Sequence, residues 1–336
     1  MSAPILVTGA TGYIAGHVIE QLLAAGHTVR GTVRALSAED TVAHLRALSG
    51  GERLSFVQAT LDSDEGWKEA VAGCERVLHM ASPLPVVEPD DPMDLIRPAR
   101  DGAARVYRAC AEAGVSRMVF TSSSAAVITE KPDSHVFTEQ DWAGLDEGRA
   151  YKRSKTHAER ALWEMYEALA PADRPELVSL NPVLVVGPLQ RARANTSVEP
   201  VRRLLAGDVP AIPKLSWNLV DVRDVAAVHV AALWAEGVDG KRYPLTAGLR
   251  WMGDLARALA THYAGTRSVV TRSAPWPLVW LMARFDPGAR RVLPDVGRQR
   301  HINAEAAMRD LGFSPRDPVQ SVLECADSLI AYDVVG

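Results

Sequence analysis

The stretch Val7-Thr8-Gly9-Ala10-Thr11-Gly12-Tyr13-Ile14-Ala15-Gly16 decides the fold. It follows a short apolar run that predicts a strand over Ile5–Thr8, and it opens a segment with helical apolar spacing, Tyr13–Ala25. Gly9 and Gly12 lack a Cβ, so the turn can be tight and its backbone N–H groups can approach a pyrophosphate. The helix N-terminus adds free amides and partial positive charge. A dinucleotide cofactor is therefore expected here.

The chain downstream alternates short apolar runs with helical patterns. We expect strands at His27–Val33, Leu54–Ala59, Arg76–Met80 and Arg117–Thr121, and helices at about Asp64–Ala72, Leu95–Ala113 and Ala150–Ala170. Such alternation is typical of parallel strands joined by right-handed crossovers. The predicted fold class is α/β, with a Rossmann-type doubly wound parallel sheet.

The regular pattern weakens from Pro188 onward, where prolines cluster. We predict a dinucleotide-binding domain over residues 1–187, to which 217–246 returns. A smaller, irregular C-terminal substrate-binding domain would comprise 188–216 and 247–336. Ligands of such sheets bind at the carboxyl ends of the strands, so the second domain should cover that edge.

Composition excludes several classes of function. The 336 residues carry 37 basic and 41 acidic side chains, a net charge of −4, which gives no basic footprint for nucleic acid. The three cysteines and nine scattered histidines form no disulfide framework or metal motif, so no metal is predicted. No signal peptide or membrane span is recognisable, and we expect a soluble, cytoplasmic monomer or homodimer.

The basic residue after the second strand bears on the choice of cofactor. A carboxylate there would bind the ribose 2′-hydroxyl of NAD, whereas Arg34 can pair with a 2′-phosphate. This favours NADP(H), with NAD less favoured and a solvated Arg34 as the alternative. Arg30 is a weaker candidate because it can face away from the site.

A tyrosine and a lysine one helical turn apart suggest proton-transfer chemistry. Tyr151 and Lys155 are at i and i+4, so they share one helix face, while Lys152 points elsewhere and is expected on the surface. An ammonium close to the phenol should lower its pKa and suit Tyr151 to act as a general acid. The pair alone is a weak signal. The serines that end the fifth strand, at residues 122–124, could supply a hydroxyl to the substrate oxygen.

Several motifs together carry a resemblance to a known family. They come in order as TGATGYIAGH, His79–Pro83, FTSSS, YKRSK, Asn181-Pro182 with Gly187-Pro188, and Val220–Asp224. The chain resembles the extended short-chain dehydrogenase/reductase family, and within it the dihydroflavonol 4-reductase-like branch of aldehyde and ketone reductases. The resemblance is strong through about residue 235 and weaker afterwards, where residues 311–316 still resemble the C-terminal helix and turn of this branch.

The resemblance implies a catalytic triad of Ser123, Tyr151 and Lys155, with Ser124 as the alternative serine. It implies that Arg34 binds the 2′-phosphate. The other cofactor-binding residues it implies are Thr8, Gly9, Thr11, Gly12, Tyr13, Ile14, Thr60, Leu61, Ala81, Ser82, Pro83, Tyr151, Lys155, Pro182 and Val185.

The sequence departs from the family pattern at three places. Ala15 stands where a third glycine is usual, and alanine is tolerated there. Thr60 replaces the acidic residue that commonly contacts adenine, which could loosen adenine recognition or move this contact to Asp62. GRAYKRSK lacks the cysteine-containing motif of the plant cinnamoyl-CoA enzymes, which argues against that substrate specialisation.

The substrate should lie between the loops that follow the fourth and fifth strands and the 188–217 segment. The candidate apolar lining residues are Leu84, Val86, Val87, Val127, Trp142, Leu189 and Trp217. Arg191 and Arg193 could meet an anionic substrate or could belong to a solvated, mobile loop.

The sequence therefore predicts an NADPH-dependent reductase that transfers a hydride to the carbonyl of a small or aromatic aldehyde or ketone. The substrate is its only expected partner, with no nucleic acid and no membrane. The alternatives are a nucleotide-sugar epimerase or 3β-hydroxysteroid dehydrogenase of the same extended family. A non-catalytic, NADP-sensing regulator is less favoured, because such proteins generally lack a functional tyrosine–lysine pair.

Overall fold

The fold is built on a seven-stranded parallel sheet. In this computed structural model, residues 3–37, 39–83, 89–193, 195–285, 290 and 292–335 are described. The strand order is β11-β7-β5-β4-β1-β2-β3, and all neighbouring strands are parallel. The bounds of these strands are β1 Ile5–Val7, β2 Val29–Val33, β3 Leu54–Gln58, β4 Arg76–His79, β5 Arg117–Thr121, β7 Glu176–Pro182 and β11 Lys241–Leu245.

Helices cover both faces of this sheet. Alternate residues of β1 point to opposite faces of the sheet. Ile5 and Val7 pack with the helices Tyr13–Ala24 and Val222–Trp234, and Leu6 packs with the helices Met93–Glu112 and Ala150–Ala168. The helices are α1 Tyr13–Ala24, α2 Ala43–Arg46, α3 Trp67–Val71, α4 Met93–Glu112, α5 Ala150–Ala168, α6 Glu199–Ala206, α7 Val222–Trp234, α8 Met252–His262, α9 Trp276–Met282, α10 Glu305–Leu311 and α11 Pro318–Ala331. The predicted Rossmann-type fold class is confirmed.

The predicted elements agree with the structure to within a few residues at most ends. The first helix stops one residue early, and Gly26 follows it with φ of 86°, the left-handed conformation typical of a helix C-terminal glycine. The second predicted helix shows the largest difference, because α3 starts at Trp67 rather than at Asp64. Gly66 precedes it with φ of 81°, a conformation outside the helix.

Part of the chain from Leu184 onward forms a further core, called the second core, apart from the parallel sheet. Three short strands pair in the order β12-β10-β8, with bounds β8 Leu184–Val186, β10 Ser216–Asp221 and β12 Leu249–Trp251. Residues of α6, α8 and α11 pack against this sheet in a core of their own. Two further pairs join β6 Val136–Phe137 to β14 His301–Ile302, and β9 Ile212–Pro213 to β13 Ser273–Ala274. The division into two domains at residue 187 stays a prediction.

Candidate active site

A cavity of about 690 Å³ lies along the carboxyl ends of the central strands. The first turn of α1 opens into it, together with the segments that follow β2, β4, β5 and β7. The predicted site residues that line the cavity are Gly9, Thr11, Gly12, Tyr13, Ile14, Arg34, Thr60, Leu61, Ala81, Ser82, Pro83, Ser123, Tyr151, Lys155, Pro182 and Val185. The fold therefore brings the glycine turn, Arg34 and the tyrosine–lysine pair to one continuous surface.

Hydrogen bonds to two threonine side chains hold the glycine turn and the loop that packs against it. Gly9 has φ of 65°, and an added Cβ would lie 3.0 Å from the Ala81 backbone, so both conformation and space favour glycine. Its N–H donates to Thr32 Oγ1 at 2.9 Å. Thr8 is fully buried, and its Oγ1 accepts hydrogen bonds from the backbone N–H groups of Met80 and Ala81 at 3.0 and 2.9 Å. Thr8 was predicted to bind cofactor, but it shapes the turn from beneath the cavity surface.

The start of α1 offers free amides to an anion. Gly12 is its N-cap, no side chain caps it, and its first turn carries no acidic residue. The backbone N–H groups of the first turn therefore face the cavity without an intrahelical partner. Gly12 itself has φ of −73°, a conformation that any residue can adopt. Glycine is favoured at this position because an added Cβ would lie 3.1 Å from the carbonyl oxygen of Gly9.

The two arginines of the second strand have different surroundings. Arg34 is exposed at the cavity edge, and no carboxylate of the described residues forms an ion pair with it. Arg30 instead donates from Nη1 to the carbonyl oxygens of Glu69, Ala70 and Ala72 at 3.1, 2.9 and 2.7 Å. Arg30 thus anchors α3 and is not a cofactor contact in this arrangement, whereas Arg34 is free to bind a phosphate.

The three consecutive serines after β5 point in different directions. Ser122 Oγ donates to Glu159 at 2.6 Å and so faces the interior. Ser123 Oγ accepts from the N–H of Ala125 at 3.1 Å and hydrogen-bonds with Tyr151. Ser124 begins a 3₁₀ turn and is not among the described residues that line the cavity. This geometry favours Ser123 over Ser124 as the partner of the tyrosine.

The structure changes the expected electrostatics of the tyrosine–lysine pair. Burial is the largest influence on the pKa of Tyr151 and raises it, while the hydrogen bond with Ser123 opposes this rise. The predicted lowering of this pKa by Lys155 therefore does not dominate. Lys155 Nζ donates to the carbonyl oxygen of Thr121 at 3.1 Å. Burial lowers the pKa of Lys155 to about 8, although the nearby Glu159 carboxylate raises it. Tyr151 is thus held protonated at neutral pH.

A buried carboxylate behind the site was missed by the sequence analysis. Glu159 is fully buried and accepts hydrogen bonds from Ser122 at 2.6 Å, Ser179 at 2.7 Å, Asn181 at 2.8 Å and Arg242 Nε at 2.7 Å. Burial opposes its ionisation, but the Arg242 guanidinium and the hydroxyl donors hold its pKa below the ordinary value.

The signal for this carboxylate was present in the sequence. Glu159 follows Lys155 at i+4, just as Lys155 follows Tyr151, so all three share one face of α5. A carboxylate that continues a buried helix face needs a buried cation, and the sequence alone did not show that the partner would be Arg242, 83 residues away.

Of the predicted apolar lining residues that the structure describes, Leu189 lies in the cavity wall. Val127 is buried in the interior, Trp142 stacks under the Arg242 guanidinium at 3.5 Å, and Trp217 packs on the second core, so none of these three lines the cavity. Leu84, Val86 and Val87 lie outside the described residues. Lys152 binds Glu147 at 2.6 Å and points away from the cavity.

The cysteines, the metal-binding residue types and the apolar helices of the described part of the chain were the remaining candidates for a functional feature. All three cysteines are free and buried. Across the described ranges, histidine, cysteine and acidic side chains form no cluster able to hold a metal ion. Among the helices that the structure describes, none is long and apolar enough to cross a membrane.

Comparisons with known proteins agree with this site. Cinnamoyl-CoA reductase 1 of Arabidopsis thaliana is 40% identical over 264 residues, which cover 76% of this chain and 74% of that protein. Dihydroflavonol 4-reductase of Hordeum vulgare is 36% identical over 214 residues, covering 61% and 59%. The crystal structure of yeast methylglyoxal/isovaleraldehyde reductase complexed with NADPH matches with a TM-score of 0.81 at 25% identity, covering 99% of each chain.

The family model named "NAD dependent epimerase/dehydratase family" matches residues 5–245. This range contains the glycine turn, the serine run and the tyrosine–lysine helix. The resemblance stated from the motifs is thereby confirmed, and the chain belongs to the NAD dependent epimerase/dehydratase family.

Proposed function

We propose that this protein is an NADPH-dependent reductase of aldehydes or ketones. The observation that carries the proposal is the hydrogen bond between Ser123 and Tyr151, with Lys155 beside it, at the far end of the cavity that begins at the glycine turn. Relatives named as reductases of carbonyl compounds, one of them in complex with NADPH, support the same assignment.

The residues present fit a nicotinamide dinucleotide phosphate. The uncapped first turn of α1 would hold the pyrophosphate, and Arg34 would hold the 2′-phosphate. The wall formed by Ala81–Pro83 and by Pro182–Val185 would enclose the nicotinamide half. When bound, NADPH supplies the hydride that reduces the carbonyl carbon.

The side chains then handle the proton. Tyr151 donates its phenolic proton to the carbonyl oxygen, and the raised pKa keeps this proton in place until the oxygen becomes basic. The Ser123 hydroxyl, which hydrogen-bonds with Tyr151 in this structure, would redirect its proton to the same carbonyl oxygen once substrate binds. The Lys155 ammonium stabilises the tyrosinate that remains, until a proton from solvent restores the phenol. The products are an alcohol and the oxidised cofactor.

A screen of NADPH oxidation tests the proposal. Aromatic aldehydes, diketones, dihydroflavonols, ketosteroids and a hydroxycinnamoyl thioester would be offered to the purified protein, with NADH in parallel. We expect turnover of at least one aldehyde or ketone with a preference for NADPH. The thioester tests whether the missing cysteine motif excludes that class. Protein that retains stoichiometric NAD and oxidises no NADPH would overturn the proposal in favour of an epimerase.

A further inference from the structure

The adenosine end of the cavity contains a cation that the motifs do not account for. Arg191 lies in the segment after β8, yet its guanidinium reaches back to the glycine turn. One Nη donates to the carbonyl oxygen of Thr11, and the other donates to that of Thr41 at 3.2 Å. Thr11 belongs to the turn and Thr41 to the loop after β2, so Arg191 spans the gap between these two elements.

This gap is where the adenosine ribose is bound in a doubly wound sheet. The residue after the second strand selects between a 2′-hydroxyl and a 2′-phosphate, and the glycine turn forms the opposite wall. Arg34 occupies the first position and lines the same cavity as Arg191. The two arginines therefore line one cavity and come from different segments of the chain.

Contacts with α1 fix the position of the segment that carries Arg191. Tyr13 Oη donates to the carbonyl oxygen of Gly187 at 2.7 Å, and a ring nitrogen of His17 lies 3.0 Å from that of Pro188. Gln190 Nε2 donates to Glu20 at 2.7 Å. The segment is thus bonded to the helix that follows the glycine turn, and Arg191 is not a side chain of a solvated loop.

The charge around Arg191 is not neutralised by the protein. No carboxylate of the described residues lies within ion-pair distance of Arg34, Arg191 or Arg193, although all three line the cavity. Burial and the neighbouring Arg193 both lower the pKa of Arg191. Burial, together with the charge of Arg191, lowers the pKa of His44 to about 4. An anion bound here would relieve this repulsion.

A single arginine is a weak site for a phosphate of nearly two negative charges. The loop after Arg34 supplies no second arginine or lysine before Arg46 and instead carries Glu39 and Asp40. We propose that Arg191 is the second cation for the 2′-phosphate of NADPH, contributed by the segment after β8. This inference rests on the proposed function, because it presumes the NADPH preference.

Paired binding measurements test this inference without relying on activity. Dissociation constants for NADPH and NADH would be measured by titration calorimetry on the parent and on Arg34→Ala, Arg191→Ala and the double variant. We expect each single substitution to weaken NADPH on the order of tenfold to a hundredfold while NADH changes little, as for loss of a charge-assisted hydrogen bond. The double variant should no longer distinguish the two cofactors.

Matched variants separate this role from a structural one. Arg203→Ala, an exposed arginine on α6, removes the same charge and should leave both affinities unchanged. Arg191→Gln keeps a donor for one backbone carbonyl and should still weaken NADPH more than NADH. Equal weakening of NADPH and NADH by Arg191→Ala would assign the residue to the pyrophosphate and overturn the inference, as would no change in either.

The two proposals fail in different ways. A parent protein that binds NADH as tightly as NADPH would remove the cofactor part of the proposed function, and the inference with it. A parent that prefers NADPH through Arg34 alone would leave the proposed function intact and remove only the role of Arg191. A changed KM for an anionic substrate with unchanged NADPH affinity would likewise place Arg191 at the substrate and overturn the inference.

Discussion

At the scale of single residues, the serine run shows what the sequence could and could not specify. Three serines in a row leave the functional one open, because the direction of each side chain depends on where the strand ends. The backbone gives the three side chains different directions, since successive residues of extended chain point to opposite sides. Ser122 therefore faces Glu159 inside the protein, and Ser123 faces Tyr151 in the cavity.

The role of the tyrosine hydroxyl can be isolated with one substitution. Tyr151→Phe removes the proton donor but keeps the ring, so NADPH affinity should stay near that of the parent. Turnover of a good aldehyde or ketone should fall on the order of a hundredfold to ten thousandfold, the usual contribution of general acid catalysis. Steady-state rates and calorimetric NADPH binding would be measured together. Unchanged turnover would remove Tyr151 from the mechanism.

The ionisation of Lys155 predicts a pH dependence. Its folded-state pKa of about 8 lies below the ordinary lysine value, so the ammonium is present below about pH 8 and lost above it. Tyr151 has a raised pKa and stays protonated through this range. We therefore expect kcat/KM for NADPH to be level near neutrality and to decline above about pH 8, since this parameter reports groups of the free enzyme.

The matched variant for this profile is Lys155→Arg. Arginine keeps its charge at every pH used, so the decline above about pH 8 should disappear even though the different shape of the guanidinium lowers the absolute rate. A decline at the same pH in both proteins would show that another group titrates there.

At the scale of elements, α5 carries both the chemistry and its support. Tyr151, Lys155 and Glu159 follow one another at steps of four residues. One face of the helix therefore carries the proton donor, the ammonium group and the buried carboxylate, one turn after another. The carboxylate bonds to Ser122 after β5, to Ser179 on β7 and to Arg242 on β11. The sequence predicted this helix from its pattern, but the partners of Glu159 come from strands that only tertiary folding brings together.

Removing the carboxylate should strongly destabilise the protein. Glu159→Ala leaves the Arg242 guanidinium buried without a counterion, and breaking a buried ion pair in this way costs about 3–5 kcal/mol. The free energy of unfolding would be measured by urea titration. Glu159→Gln should cost less, because an amide can still bond to the surrounding hydroxyls.

The control for this prediction is Glu167→Gln, an exposed carboxylate near the end of the same helix. It should change the free energy of unfolding by less than about 0.5 kcal/mol, as is usual for surface substitutions. A comparable loss in Glu167→Gln and Glu159→Ala would mean that helix propensity, and not the buried pair, sets the stability.

At the scale of the whole molecule, the two halves of the chain differ in how far the sequence specified them. The first five strands alternate with helices at close intervals, so local periodicity located all of them. From residue 184 onward, strands β8 and β12 have three residues each, and both pair with β10 across long separations. Periodicity over so few residues is uninformative, which explains why only an irregular region was predicted there.

The cavity joins these halves, because its wall combines the glycine turn with the Leu189–Ser197 stretch. Cofactor binding should therefore stabilise the folded chain as a whole. At a ligand concentration one hundred times the dissociation constant, binding should increase the free energy of unfolding by about 2.7 kcal/mol and raise Tm by a few degrees. Calorimetric scans with NADPH and NADH at one concentration should give the larger rise with NADPH.

Two variants make this thermal shift specific to the site. Tyr151→Phe should retain the full NADPH shift, since the phenol acts on the substrate oxygen and not on cofactor affinity. Arg34→Ala should bring the NADPH shift closer to the NADH shift without making them equal, because it removes one of the two arginines proposed to bind the 2′-phosphate. Equal shifts for both cofactors in the parent protein would mean that the exposed Arg34 does not contribute to selectivity.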